Sequence, residues 1–432
     1  MRFSYPADYN LSTRLMRALT PEQGRLLLSV AEEAAHQHLP LYIVGGFVRD
    51  LLQGHPGLDF DLVVEGDAIG LARAVAAKQG GKVTVHTRFK TAQWFPPPAN
   101  AIPKYMDFIS ARSETYKHPA ALPTVKPGML SDDLRRRDFT INTLALRLDG
   151  DHFGELRDIL GGLEDLQAGL VRVLHPVSFV DDPTRLFRAV RYEERYGFQI
   201  ASETLALIPD ACLLINCLSA ERVRHELDLI LEEEKAASML KRLSELGILA
   251  AVDPALEWNK ATQTRFVNGT AATQTLEHPP SQRTLGWTLW LMNVPLPALA
   301  SIEKRLHFES SLREVLLAAT ALFAEVNSLA GTKPSRCVAV LDAVPIRAVQ
   351  AVSLALPAGP ARQVLGAYLK TWRHVKPKTT GHDLKKRGVP PGPVYQSILR
   401  RLREAWLDGG VKTVNEEMRL LDQLTRKYNS SE

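Results

Sequence analysis

Four apolar residues, Leu41-Tyr42-Ile43-Val44, run straight into the glycine pair Gly45-Gly46 and then into Phe47 to Leu52, whose apolar spacing is helical. A strand that meets two glycines and leaves as a helix must turn sharply, and only glycine tolerates the backbone angles such a turn demands. The next extended run, Asp59-Phe60-Asp61-Leu62-Val63-Val64, alternates in character and predicts a second strand. Strand, turn, helix, strand is therefore the nucleus of the N-terminal part, and it excludes an all-helical start to the chain.

The surrounding pattern extends this nucleus. Pro21 and Glu22 open a helix whose apolar positions are Leu26, Leu27, Val30, Ala31 and Ala34. A helix is predicted over residues 68–79, with strands over 82–86, 92–95 and 105–110, which makes the first 150 residues an α/β arrangement. Beyond Asp181 the periodicity changes to amphipathic helices, among them 183–196 and 220–231, broken near Pro279-Pro280, 331–334, 356–360 and 390–393. With 432 residues, several compact units are expected.

Composition sets outer limits. The formal net charge is +5, and between Lys370 and Arg403 the basic residues greatly outnumber the one acid, Asp383, so that segment suits a polyanion. The cysteines, Cys212, Cys217 and Cys337, have neither metal-finger spacing nor a disulfide framework and read as small buried apolar residues. No apolar run approaches the roughly 20 residues that span a bilayer, and the N-terminus lacks the signature of a signal peptide, so a cytoplasmic protein is expected, away from membranes. No feature points to a stable protein partner.

The chemistry-bearing residues cluster after the glycine turn. On one strand Asp59 and Asp61 would project from the same face, close enough to share divalent cations, and their oxygen donors suit Mg²⁺. Ions held there would lower the pKa of an attacking hydroxyl and neutralise a transferring phosphoryl group. Asp107, in the apolar run Tyr105 to Ile109, is a third candidate carboxylate. Gly45 and Gly46 would let backbone N–H groups approach a triphosphate, with Arg49 one turn into the helix. Each element alone has a plain alternative: an ordinary tight turn, a surface Asp pair.

Taken together, Val44-Gly-Gly-Phe-Val-Arg-Asp-Leu-Leu52 and Leu58-Asp-Phe-Asp-Leu62 resemble the first signature of the class II tRNA nucleotidyltransferases. These are the CCA-adding enzymes and their poly(A) polymerase relatives, within the polymerase-β superfamily. Further matches follow in order: Asp133 to Ala145, Asp158 to Leu166, Asp181-Asp-Pro-Thr-Arg-Leu-Phe-Arg-Ala-Val-Arg191, and Glu221-Arg-Val-Arg-His-Glu226. The resemblance implies an α+β head with a polymerase-β-like sheet over residues 1–150, followed by an all-α neck (151–235), body (236–375) and tail (376–432).

It also implies roles. Arg137 would contact the nucleotide, with Asp138 and Asn142 supporting the sugar region. Asp182 and Arg185 would present acceptors and donors to the Watson–Crick edge of a base, with Arg188 and Arg191 on base or phosphate. The stretch from Arg112 to Val125 resembles the flexible loop used in switching to adenine, with Arg112 and Glu114 as its charged members. In the tail, Thr380 to Leu399 resembles a motif whose Lys385, Lys386 and Arg387 suit tRNA phosphates. The expected activity is CCA addition to tRNA from CTP and ATP with Mg²⁺. Asp181 stands where the CCA pattern commonly has Glu, so addition of the terminal A alone is the second expectation, a poly(A) polymerase the third, and an inactive RNA-binding protein the last.

Overall fold

The computed structural model describes residues 10–54, 60–97, 103–115 and 124–429. Local sequence accounts for the N-terminal elements. Thr20 and Gln23 form a capping box that opens α1 (Pro21–His36), with Pro21 at a position where its missing N–H is harmless. Gly45, at φ 72°, caps α2 (Gly46–Gln53), and Gly54 closes it in the left-handed region. Asp67 caps α3 (Ala68–Gln79) by accepting from the Ile69 amide at 3.1 Å. These three helices and the strand β1 (Leu41–Val44) lie within two residues of the predicted spans.

The sheet they pack on has seven strands. After β1 come β2 (Asp61–Val64), β3 (Lys82–His86), β4 (Thr91–Phe95) and β5 (Met106–Ser110). Then β6 (Arg112–Thr115) and β7 (Thr124–Pro127) form a separate antiparallel pair, and β8 (Ala145–Arg147) and β9 (Leu156–Arg157) return to the main sheet. The order is β3-β4-β5-β2-β1-β8-β9, with β2 and β5 parallel and the other neighbours antiparallel. Leu41, Ile43 and Val44 are wholly buried, as a strand in mid-sheet requires. Tyr42, Val44, Val63 and Ala145 pack with Leu130 and Leu134 of α4 (Leu130–Arg135). Each fully buried aliphatic side chain there stabilises the fold by about 1.5–3 kcal/mol.

Two sequence expectations need correction. The stretch Arg112 to Val125 reads as a loop in the sequence, yet its described ends pair as strands, Arg112 opposite Pro127 and Thr115 opposite Thr124, while residues 116–123 lie outside the described residues. Short charged and Pro-containing segments carry little periodicity, and their pairing is long-range. Cys212 and Cys337 are buried, but Cys217 is exposed at the end of a 3₁₀ turn. The strands β8 and β9 were not anticipated, because two or three residues are too few to display alternation.

Contacts divide the chain into two compact units, Met1–Glu226 with Glu245–Ala251, and Leu227–Ser244 with Val252–Glu432. The first holds the sheet and also α5 (Arg185–Tyr196), capped at its C-terminus by Gly197 in the left-handed region. The helix α6 (Ala220–Leu231) follows. Among its described residues the second unit is helical. Trp287 and Trp290 are buried and stacked at 5.3 Å, so they serve packing. Near the C-terminus Leu384, Val389, Ile398, Leu402, Leu421 and Leu424 form a small core of their own. Among the described residues no single helix is long and apolar enough to cross a membrane. The chain thus has an α+β head followed by a helical remainder, as expected.

Candidate active site

In the parallel pairing of β2 and β5, Asp61 stands directly opposite Asp107, and the Asp107 amide donates to the Phe60 carbonyl at 3.0 Å. Two carboxylates on adjacent strands at one register position are side by side on one face of the sheet. Both are partly buried. Asp59 lies outside the described residues, so its placement beside Asp61 is not described. Among the described residues no three His, Cys, Asp or Glu side chains group as a metal site by themselves.

Asp61 lies on the wall of a cavity of about 550 Å³. Gly46, Arg49, Arg112, Glu114, Arg137, Asp138, Asn142, Asp182, Arg185 and Arg188, all predicted from sequence, line the same cavity. Its charge is mixed, with a positive excess: Arg49, Arg112, Arg136, Arg137, Arg185, Arg188 and Arg195 against Asp50, Asp61, Glu114, Asp138 and Asp182, seven to five. A wall with an excess of arginines and a cation-holding carboxylate, Asp61, suits a polyanionic ligand.

The glycine turn is shaped by contact. A Cβ on Gly45 would stand 2.6 Å from an Arg137 terminal nitrogen, in addition to the strain of its positive φ. Arg137 itself donates to Asp133 at 3.1 Å, while its buried Nε has no hydrogen-bond partner among the described residues. A buried guanidinium N–H left unpaired in an otherwise satisfied wall is a donor suited to a ligand.

Asp138 is the hub. One carboxylate oxygen accepts from the Asn142 amide and from the Phe139 backbone, both at 2.9 Å. The other accepts from Arg188, at 2.8 Å from Nε and 2.6 Å from a terminal nitrogen. Burial opposes ionisation, but Arg188 and Asn142 outweigh it and hold the Asp138 pKa down to about 2. Asn142 in turn accepts from Arg49. The second predicted motif is thus wired to both the first and the fourth.

Asp182, also on the cavity wall, accepts from the Thr184 amide at 3.0 Å, the Thr184 hydroxyl at 2.7 Å and Arg222 at 2.7 Å. Arg185 donates to the Ser178 hydroxyl at 2.6 Å and to the Arg136 carbonyl at 2.7 Å, which fixes the plane of its guanidinium. Asp182 precedes α5 rather than lying on it. Arg191 does not line the cavity; it pairs with Glu226 of α6 at 3.4 Å, both buried. With 3.6 residues per turn, a three-residue repeat drifts around the helix, and Arg191 is carried off the face that Arg185 and Arg188 share.

Tyr192 and Arg195, seven and ten residues after Arg185, lie on that face and line the cavity, and sequence reasoning missed them. Extending the Arg185 face at helical rather than threefold spacing would have found both. Arg112 and Glu114 stand at the base of the β6–β7 pair, where Glu114 accepts from Arg112 and Arg136. Lys385, Lys386 and Arg387 belong to the second unit, exposed at the end of the helix Gly381–Lys386, with Arg387 paired to Asp422.

Known proteins resemble this chain along most of its length. Residues 41–172 match the poly A polymerase head domain, and residues 197–259 a probable RNA and SrmB-binding site of polymerase A. An A-adding tRNA nucleotidyltransferase of Halalkalibacterium halodurans is 33% identical over 404 residues, which span 92% of this chain and 91% of the relative. The chain belongs to the class II tRNA nucleotidyltransferase family. Within that family, a CC-adding enzyme of Deinococcus radiodurans is 34% identical over 304 residues, 68% of this chain and 79% of that one. Among solved structures, the Thermotoga maritima CCA-adding enzyme complexed with tRNA is 25% identical, with a TM-score of 0.80, over 98% of this chain and 100% of its own. As a nucleotidyltransferase, this chain carries the described metal-, nucleotide- and loop-site residues expected from sequence in the first compact unit, and all of these but Gly45, Asp107 and Arg191 line one cavity, while the tail residues Lys385, Lys386 and Arg387 lie in the second unit.

Proposed function

We propose that this nucleotidyltransferase adds the terminal adenosine to the 3′ end of tRNA. The observation that carries the transfer is the single cavity in which the glycine turn, Asp61, the Arg137–Asp138–Asn142 motif and the Asp182–Arg185 pair converge. In this reading Gly46 and Arg137 take the triphosphate, Asp138 and Asn142 hold the sugar region, and Asp182 and Arg185 read the base edge. A carboxylate accepts from the exocyclic amine of adenine while the guanidinium donates to a ring nitrogen. Asp61 and Asp107, with Asp59, offer the all-oxygen donor set that suits Mg²⁺. Such an ion supplies charge neutralisation at the transferring phosphoryl group. The catalytic head (1–150) and neck (151–235) would act on an RNA gripped by the body (236–375) and by the tail (376–432) through Lys385, Lys386 and Arg387.

Adenosine specificity is supported by the A-adding relative that spans nearly the whole chain and by Asp181 in place of Glu. Full CCA addition from CTP and ATP, the first expectation from sequence, is the second reading, supported by the fold shared with the CCA-adding enzyme along 98% of the chain. Transcripts ending before CCA and transcripts ending in CC, each given CTP, ATP or both, separate the two. Incorporation of ATP only on the CC-ending transcript is expected. Incorporation of CTP overturns the A-only reading, long adenosine tails point to a poly(A) polymerase, and no incorporation on either transcript leaves only RNA binding. Replacing Asp61 and Asp59 together by Ala should lower the rate by on the order of a thousandfold; a rate that survives removes the assigned metal carboxylates.

A further inference from the structure

Arg49 is expected from the sequence to reach for a triphosphate, yet its guanidinium points into the protein. Its Nε donates to Asp50 at 2.8 Å, one terminal nitrogen donates to Asn142, and the other donates to the Tyr196 hydroxyl. All three nitrogens are thereby engaged, and the side chain is 4% exposed. The guanidinium carbon lies 4.5 Å from the centre of the Tyr196 ring and 5.2 Å from that of Tyr192. Both distances are those of cation–π contact. The aromatic backing is continuous: Tyr192 meets Phe139 edge-on at 5.7 Å, and Tyr196 lies 6.0 Å from Tyr192 and 5.5 Å from Phe198.

The other side of Arg49 faces the glycine turn. Its backbone amide donates to the Gly45 carbonyl at 3.2 Å, and a Cβ on Gly46 would stand 3.4 Å from its terminal nitrogen. Arg49 therefore bridges two segments 147 residues apart, the turn that opens α2 and the last turn of α5. Tyr192 borders the cavity, but Tyr196 does not. Tyr196 therefore acts on the site through its neighbours, and its hydroxyl and ring both engage Arg49, while Tyr192 meets its ring alone at 6.0 Å.

We propose that Tyr196 is a positioning residue of the nucleotide site. It clamps Arg49 by ring and hydroxyl, and so sets the distance between the glycine turn and the base-reading face of α5. Errors of about 1 Å between groups that hold two ends of one substrate are enough to lose most of the benefit of binding them together. The inference rests on the reading of the cavity as a nucleotide site.

A double-mutant cycle between Arg49→Lys and Tyr196→Leu tests it, with KM and kcat for nucleotide incorporation, equilibrium binding of ATP and thermal unfolding measured on each variant. Tyr196→Leu is expected to weaken ATP binding and raise KM about tenfold. Tyr196→Phe keeps the ring and should recover to within about threefold of the parent. On the Arg49→Lys background the Leu change should add less than about twofold, because the clamp is already lost. Additive effects overturn the proposal. So does a Tyr196→Leu protein that melts early but keeps parental ATP affinity and KM, since that is packing alone. If Tyr196→Leu does not fold, the Tyr196→Phe effect on the parent and its absence on Arg49→Lys decide in the same way. Should the parent fail to extend tRNA, the proposed function falls, while the ATP-binding cycle still judges the clamp.

Discussion

Asp138 shows how one carboxylate can be held charged inside a protein. Four donors, two from Arg188 and one each from Asn142 and Phe139, face a side chain that is 7% exposed. Its pKa falls to about 2 from the ordinary 3.8. The sign follows from linkage: a carboxyl whose folded pKa is depressed adds stability above its unfolded pKa and loses it as pH falls through the folded one. The native charge is therefore worth about 2 kcal/mol at neutral pH, and this contribution is lost between pH 4 and 2. Urea titrations of the parent and of Asp138→Asn across that range should converge at the acid end. A stability gap that stays constant with pH would mean that Asn142 and Arg188 do not discriminate the carboxylate from the amide.

At the scale of the element, α5 divides its arginines between two tasks. Arg188 and Arg195 face the cavity, while Arg191 is turned toward Glu226, whose pKa is raised because burial outweighs the pull of Arg191. Replacing Arg191 by Met should destabilise the fold by roughly 3 kcal/mol, because it leaves a buried carboxylate unpaired. The affinity for ATP of the molecules that remain folded should be unchanged. Replacing the exposed Arg195 by Ala should do the reverse, raising the nucleotide KM several-fold with little change in melting temperature. Kinetics and calorimetry on the two variants check the division, and an equal loss of nucleotide affinity in both would contradict it. The four-residue strands of the head show the same economy: β2 contributes Asp61 to the cavity wall and buries its other three residues.

At the scale of the whole molecule, the second unit has its own ordering device far along the chain from the cavity residues. Glu417 is fully buried and accepts from the Lys378 amide at 3.0 Å, from the Thr379 amide at 2.6 Å and hydroxyl at 2.5 Å, and from the Trp406 indole. Burial opposes its charge, but these donors keep its pKa below the usual carboxylate range. They tie the approach to the motif at Thr380 onto the last two helices. Glu417→Ala should cost about 3 kcal/mol by leaving those donors unsatisfied, seen as an early melting transition. The affinity for ATP should be retained, since Glu417 belongs to the other compact unit. Loss of ATP binding at temperatures where the variant is folded would contradict that independence.

The linear chain by itself determined the elements whose cause is local. Alternation, caps and glycines placed β1, α1, α2 and α3 to within two residues, and the motif residues named from their order along the chain meet, with few exceptions, around one cavity. Tertiary structure decided what depends on partners distant in sequence. It put Asp107 opposite Asp61, paired the ends of the Arg112 to Val125 stretch, turned Arg191 away from the cavity and Arg49 inward onto Tyr196. A side chain's type and spacing fix what it can bond, but which of several available partners it bonds is a matter of packing, and packing is set by residues distant along the chain.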